Sequence, residues 1–220
     1  ESLGAAVKEM LDAANLAWSN FSLLSHGVIE ALKQHGEKWQ QQAFLRPLIE
    51  GRWTGTMCLT EAHAGSDLGL LRTRAEPAAD GTYSISGSKI FITAGEHDFT
   101  DNIIHLVLAR LPDAPAGVKG ISLFVCPKYL INDDGSLGAR NDLKCTSVEH
   151  KLGIHGSPTA SMSFGETEGA IGWLVGEPNQ GLACMFTMMN HARLNVGLEG
   201  VGISDRAYQH ARAYALDRVQ

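Results

Sequence analysis

Trp53-Thr54-Gly55-Thr56-Met57-Cys58-Leu59-Thr60-Glu61-Ala62-His63-Ala64-Gly65-Ser66-Asp67 is where the chain changes character. Before it, apolar residues recur every three or four positions. From Trp53 onward they recur every second position, among β-branched and aromatic neighbours, which is strand spacing. Tyr83–Ile92, Ile103–Leu111, Ile121–Cys126, Thr159–Phe164 and Trp173–Val175 read the same way. Ala79-Asp80-Gly81 is a turn joining residues 72–76 to 83–86 as a hairpin, while 113–117 and 132–138 are Pro-, Gly- and Asp-rich loops. Many short strands without alternating helices argue against a Rossmann domain. They imply a central antiparallel β-sandwich or barrel in an α+β chain.

Upstream, Val7, Met10, Leu11, Ala14 and Trp18 form one expected helical apolar face; Val28, Ile29 and Leu32 form a second, which stops at Gly36. A third helical segment covers 37–49, with Pro47 expected to kink or limit it. Three short helices cannot close a core of their own, so they are expected to dock onto further structure. Downstream, helix resumes at Glu177-Pro178-Asn179-Gln180-Gly181 with Leu182, Met185, Phe186 and Met189 as its stripe. Gly197, Gly200 and Gly202 imply close approach by a helix or ligand, since each weakens a helix. Tyr208, Ala211, Ala215 and Val219 extend the helical face. The expected division is helical over 1–50, a β-domain over 51–177 and helical again over 178–220.

The 220 residues carry a net charge of −6, which does not favour nucleic acid or an anionic membrane. No apolar run approaches the ~20 residues that span a bilayer. Cys58, Cys126, Cys145 and Cys184 form no C-x-x-C and read as reduced thiols of a cytoplasmic protein. The spacing of the nine histidines, His150 and His155 included, suggests no metal site. No G-x-S-x-G elbow occurs. The start at Glu1 reads as a fragment.

Two segments carry candidate chemistry. In residues 60–67 a small-residue turn exposes backbone N–H groups and hydroxyls that suit a ring edge or phosphate; a plain turn capped by Asp67 is the simpler reading. Downstream, Phe91-Ile92-Thr93 presents a second hydroxyl at a strand end. Thr60-Glu61, Ala64-Gly65-Ser66-Asp67 and Gly87-Ser88-Lys89 with Ile92-Thr93 together resemble the acyl-CoA dehydrogenase family. Lys151-Leu152-Gly153-Ile154-His155-Gly156-Ser157-Pro158-Thr159, Gly181, Arg193 and Tyr214–Gln220 follow in the family's order. The resemblance covers nearly the whole chain, and Glu149-His150-Lys151 and Gly69–Thr73 look most like the 3-methylmercaptopropionyl-CoA dehydrogenase branch.

That resemblance implies that 1–50 is the end of an N-terminal helical domain, 51–177 a middle β-domain and 178–220 the start of a C-terminal helical domain, with FAD as cofactor. Met57, Cys58, Leu59, Thr60, Gly65 and Ser66 would line the flavin edge, with Ser66 also beside the acyl-CoA chain. Phe91, standing where the family commonly has Trp, would offer an aromatic face; Ile92 and Thr93 would follow, the Thr93 hydroxyl toward flavin N5. Ala62 replaces the usual Pro, and Leu70 a usual small residue. Asn190, at a position often acidic in relatives, and Arg193 would lie toward the CoA portion. Arg218 would meet the FAD pyrophosphate of a neighbouring subunit, with Arg206 and Arg212 as plain surface charges.

The implied reaction is α,β-dehydrogenation of an acyl-CoA, with electron-transfer flavoprotein as acceptor and a homodimer or homotetramer as the assembly. Its base, a glutamate, would lie beyond residue 220; Glu61 reads as a structural residue of the flavin loop. An isolated chain of this length would then show no turnover and little FAD binding. An acyl-CoA oxidase, a non-dehydrogenating flavoprotein of this fold that binds a partner or DNA, and a β-rich interaction module are the alternatives.

Overall fold

The structure is a computed structural model, and it describes residues 2–219. Two helices, α1 (Ser2–His35) and α2 (Lys38–Ile49), precede ten strands: β1 (Trp53–Cys58), β2 (Arg74–Pro77), β3 (Tyr83–Thr93), β4 (Asn102–Ala109), β5 (Ser122–Pro127), β6 (Tyr129–Ile131), β7 (Leu137–Arg140), β8 (Leu143–Val148), β9 (Thr159–Phe164) and β10 (Ala170–Val175). A long helix, α3 (Gly181–Asp217), completes the order. The main sheet runs β1-β4-β5-β10-β3-β9-β8, with β2 added beside β3. Its pairs are antiparallel except β1 with β4, a parallel pair within the expected antiparallel pattern.

Every residue of β4 and of β5 is buried, which is why both read as nearly unbroken apolar runs. One face of β4 sends Ile104, Leu106 and Leu108 against Val28, Leu32, Phe44 and Met185 of the helices. The other packs Val107 and Ala109 with Ile85, Ile92, Met162 and Phe164, closing the sheet over itself as a sandwich. The hairpin of β2 and β3 pairs Arg74 with Ser86 and Pro77 with Tyr83. β8 lies outside the strands expected from the sequence. It is an edge strand with little buried beyond Leu143, so no alternation marks it.

The helices correct the sequence reading in several places. α1 breaks at Asn15 (φ −159°, ψ 92°), whose Oδ1 accepts the Trp18 N–H at 3.1 Å and so caps the second segment. Val7 and Met10 of the first segment and Trp18 of the second are exposed, while Asp12, Ser19 and Asn20, on both sides of the break, are buried. The Lys8 ammonium binds Asp12, Ser19 and Glu199 of α3, so a polar cluster rather than the apolar stripe faces α3. Arg206 is no plain surface charge: it donates to the Ala13 carbonyl at 2.7 Å, closing the first segment. α2 passes through Pro47 and ends two residues later, at Ile49. Of Gly197, Gly200 and Gly202, the last is closely approached, its absent Cβ position lying 2.9 Å from the Glu9 carbonyl; Gly197 and Gly200 have open space around them among the described residues.

His105, on the sandwich side of β4, hydrogen-bonds Thr56 Oγ1 through Nδ1 at 2.7 Å and sits edge-on to Phe164. Burial pushes its imidazole down from 6.5 to about 3. Below pH 6.5 the unfolded chain takes a proton that the folded chain refuses until about pH 3. Stability is therefore complete above this window and falls through it by up to about 1.4 kcal/mol per pH unit. Chemical denaturation between pH 7 and 4 should show this slope, and a His105→Asn variant should lose it.

Candidate functional site

Past Cys58 the chain leaves the sheet and turns on itself. Glu61 and Ala64 exchange both backbone hydrogen bonds at 3.0 Å, leaving Ala62 and His63 at the tip. Asp67 then caps a short 3-10 turn, its Oδ1 accepting the Gly69 N–H at 2.9 Å. The expected Asp67 cap is therefore present. Arg110 fastens the far end of this turn, donating to the carbonyls of Leu71, Gly69 and Gly117 at 2.7–2.9 Å.

Beneath this turn lies a buried ion pair. Glu61 Oε1 stands 3.0 Å from Lys89 Nζ and accepts from the Thr73 N–H at 3.0 Å and the Thr73 hydroxyl at 2.5 Å; Oε2 accepts the Arg72 N–H at 2.8 Å. Burial alone would raise this carboxyl, but the Lys89 charge and the Thr73 and Arg72 hydrogen bonds hold it below its usual range. Burial lowers Lys89 to about 8 against the pull of Glu61. Glu61 is structural, as its sequence reading holds. Lys89 as its partner was legible only as a charge on the inward register of β3, alongside Ile85 and Gly87.

The same lysine joins the two candidate segments. Lys89 Nζ donates to the Leu59 carbonyl at 2.9 Å, and the Ile90 N–H donates to the Thr60 carbonyl at 2.9 Å. Immediately beyond, β3 bulges between Lys89 and Ile92, and Phe91 adopts φ +60°. A bulky residue there is strained by about 1–3 kcal/mol, and the bulge turns its ring outward, 58% exposed. Ala94 N–H donates to the Pro158 carbonyl at 2.8 Å, bringing the Lys151–Thr159 motif to the end of β3. A cavity of about 330 Å³ lined by Phe21, His97, Phe99, Lys151, His155 and Pro158 adjoins that junction.

Met57, Leu59, Thr60 and Thr93 are half-buried and Gly65 and Ser66 exposed, whereas Cys58 and Ile92 are fully buried. Only the backbone of the last two can face a ligand; burial also drives the Cys58 thiol up to about 11. Asn190 and Arg193 stand together on α3, Arg193 donating to Asn190 Oδ1 at 3.2 Å and lying over the Phe186 ring. Arg218 is bonded to the Tyr214 hydroxyl at 2.7 Å, roughly 40 Å along the helix axis from Asn190. The structure brings residues 57–66 and 91–93 together and leaves Arg218 outside that group.

The arrangement fits a flavin by its donors: an outward aromatic face beside the Thr93 hydroxyl, with the Thr60 and Ser66 hydroxyls on the adjoining loop. The absent Cβ position of Gly65 meets only Thr60, at 3.7 Å, so the loop leaves open space on that side. Among the described residues no cluster of three or more histidines, cysteines or carboxylates could hold a metal.

The family model for the acyl-CoA dehydrogenase middle domain matches residues 56–167. Over 218 residues, 99% of the chain, the sequence is 54% identical to 3-methylmercaptopropionyl-CoA dehydrogenase of Ruegeria pomeroyi, of which it covers 37%. It is 44% identical over 222 residues to a butyryl-CoA dehydrogenase of Syntrophomonas wolfei, covering 98% of the chain and 36% of that protein. The fold superposes on butyryl-CoA dehydrogenase of Megasphaera elsdenii with a TM-score of 0.80 at 28% identity, over 98% of this chain and 53% of that one. The chain thus spans a little over a third of the length of these two curated relatives. By its sequence and its fold, the chain belongs to the acyl-CoA dehydrogenase family.

Proposed function

We propose that this chain supplies the flavin-holding half of an FAD-dependent dehydrogenase that oxidises an acyl-CoA thioester between its α and β carbons. The observation carrying this reading is the bulge at Phe91, which holds an aromatic ring in a strained, outward conformation next to Thr93, tied through Thr60 to the 57–66 loop. FAD, when bound, supplies the hydride acceptor. The chain's part is to place it: Phe91 gives the ring a face, the Thr93 hydroxyl a polar partner, and Thr60 and Ser66 hold the polar edge. Asn190 and Arg193 present an amide and a cation on one helix face, suited to the polar portion of CoA.

Glu61 is not free to act as base, since it is occupied by Lys89, Arg72 and Thr73. In this reading, as the family resemblance implies, the proton-abstracting glutamate lies outside residues 1–220. The substrate is 3-methylmercaptopropionyl-CoA, supported by the 54% identity to an enzyme of that name. Electron-transfer flavoprotein takes the electrons, and Arg218 serves a neighbouring subunit of a homo-oligomer. The intact protein, anaerobic and loaded with FAD, should lose the visible absorbance of its oxidised flavin on adding 3-methylmercaptopropionyl-CoA, faster than with straight-chain acyl-CoAs. Unchanged absorbance across the whole series would overturn the reading, and faster bleaching by butyryl-CoA would overturn only the substrate.

A further inference from the structure

The buried pair beneath the candidate flavin loop is placed to do more than hold the backbone. Lys89 Nζ lies 2.9 Å from the Leu59 carbonyl and 3.0 Å from Glu61 Oε1, with the lysine side chain wholly out of solvent. The described chain has no cis peptide bond. The Leu59–Thr60 peptide is therefore planar and trans, so the Thr60 N–H points opposite to the carbonyl that the ammonium grips. The Thr60 carbonyl is in turn held by Ile90 N–H at 2.9 Å, next to the Phe91 bulge. Among the described residues, the Thr60 N–H has no protein acceptor.

We propose that Lys89 is a positioning residue that acts through the Leu59–Thr60 peptide, strengthening the Thr60 N–H as a donor to the polar edge of the flavin and favouring its reduced, more electron-rich state. An ammonium on a carbonyl draws electron density across the amide, and hydrogen bonds in such a chain reinforce one another in a low-dielectric interior. Glu61 fixes the ammonium against that carbonyl, and its own charge is spread over three further donor contacts from Arg72 and Thr73. The inference rests on the flavin reading proposed for this loop. Lys89 touches neither flavin nor substrate in it.

The test uses the FAD-loaded intact protein and the Lys89→Met/Glu61→Gln double variant, which removes both charges at similar volume. Oxidised FAD should bind the variant nearly as well as the wild type. Reduced FAD should bind about tenfold more weakly, lowering the two-electron potential by about 30 mV. Equal weakening of both states, or an unmoved potential, would mean that the pair only supports the backbone. Should the variant fail to fold, the wild-type potential decides. Because burial leaves Lys89 at about 8, the potential should drop more steeply above that pH than free FAD's does, and a parallel course overturns the relay. Wild-type protein that takes up no FAD at all would instead overturn the flavin reading, and the relay with it.

Discussion

Lys89→Met should destabilise the fold by about 3–5 kcal/mol, because it strands the Glu61 carboxylate in the interior. That carboxylate is 4% exposed and the lysine 0%, so solvent cannot rescue either partner. Adding Glu61→Gln to the lysine variant should recover part of the loss, since it removes the buried charge and the amide oxygen still accepts from the Thr73 N–H and hydroxyl, although the Arg72 N–H then loses its acceptor. The order of stability by urea denaturation should be wild type, double variant, single variant. A single variant within about 1 kcal/mol of wild type would show that water reaches the pair, or that the carboxylate simply takes a proton. The effect would extend to the candidate site, because Lys89 also holds the Leu59 carbonyl and precedes the bulge at Phe91.

Gly181→Ala should destabilise by about 3 kcal/mol, at the upper end of ordinary overpacking. A Cβ at Gly181 would fall 2.2 Å from the Ser122 carbonyl carbon and 2.4 Å from the Leu123 nitrogen, both main-chain atoms of β5. Neither can move without breaking the ladder to β4 and β10. The Gly181 N–H also donates to the Ile121 carbonyl at 2.8 Å, so the start of α3 is set directly on the sheet. Gly197→Ala on the same helix meets nothing within 4 Å among the described residues. It should stabilise by up to about 1 kcal/mol through helix propensity. Thermal melts of the two variants should shift in opposite directions; equal shifts would mean that α3 does not seat on β5 through Gly181. The same seat bears on function, because Asn190 and Arg193 take their placement from it.

Much of this architecture is written locally. The change of period at Trp53, the turn at residues 79–81, the Asp67 cap and the stop at Gly36 each depend on residues within a few positions of one another. So do the motifs at 57–67 and 91–93, which is why the family is readable in the chain alone. β8 is not readable there, because an edge strand with exposed polar residues carries no burial pattern to betray it.

The sequence by itself determined which residues share a face of an element, and the order of helices, strands and helix. It did not determine which face is covered. Along α1 the apolar stripe of Val7, Met10 and Trp18 is exposed, and Lys8, bonded to Asp12 and Ser19, is turned toward Glu199, 191 positions away in the chain. The same holds at the candidate site. Lys89 is an ordinary strand lysine until Glu61, 28 residues earlier, meets it in the interior. Phe91 is an ordinary aromatic until the bulge in β3 gives it a positive φ and an exposed ring. Periodicity encodes local direction. Burial, charge pairing and strain are fixed by contacts between segments distant in sequence, and only the tertiary structure brings those together.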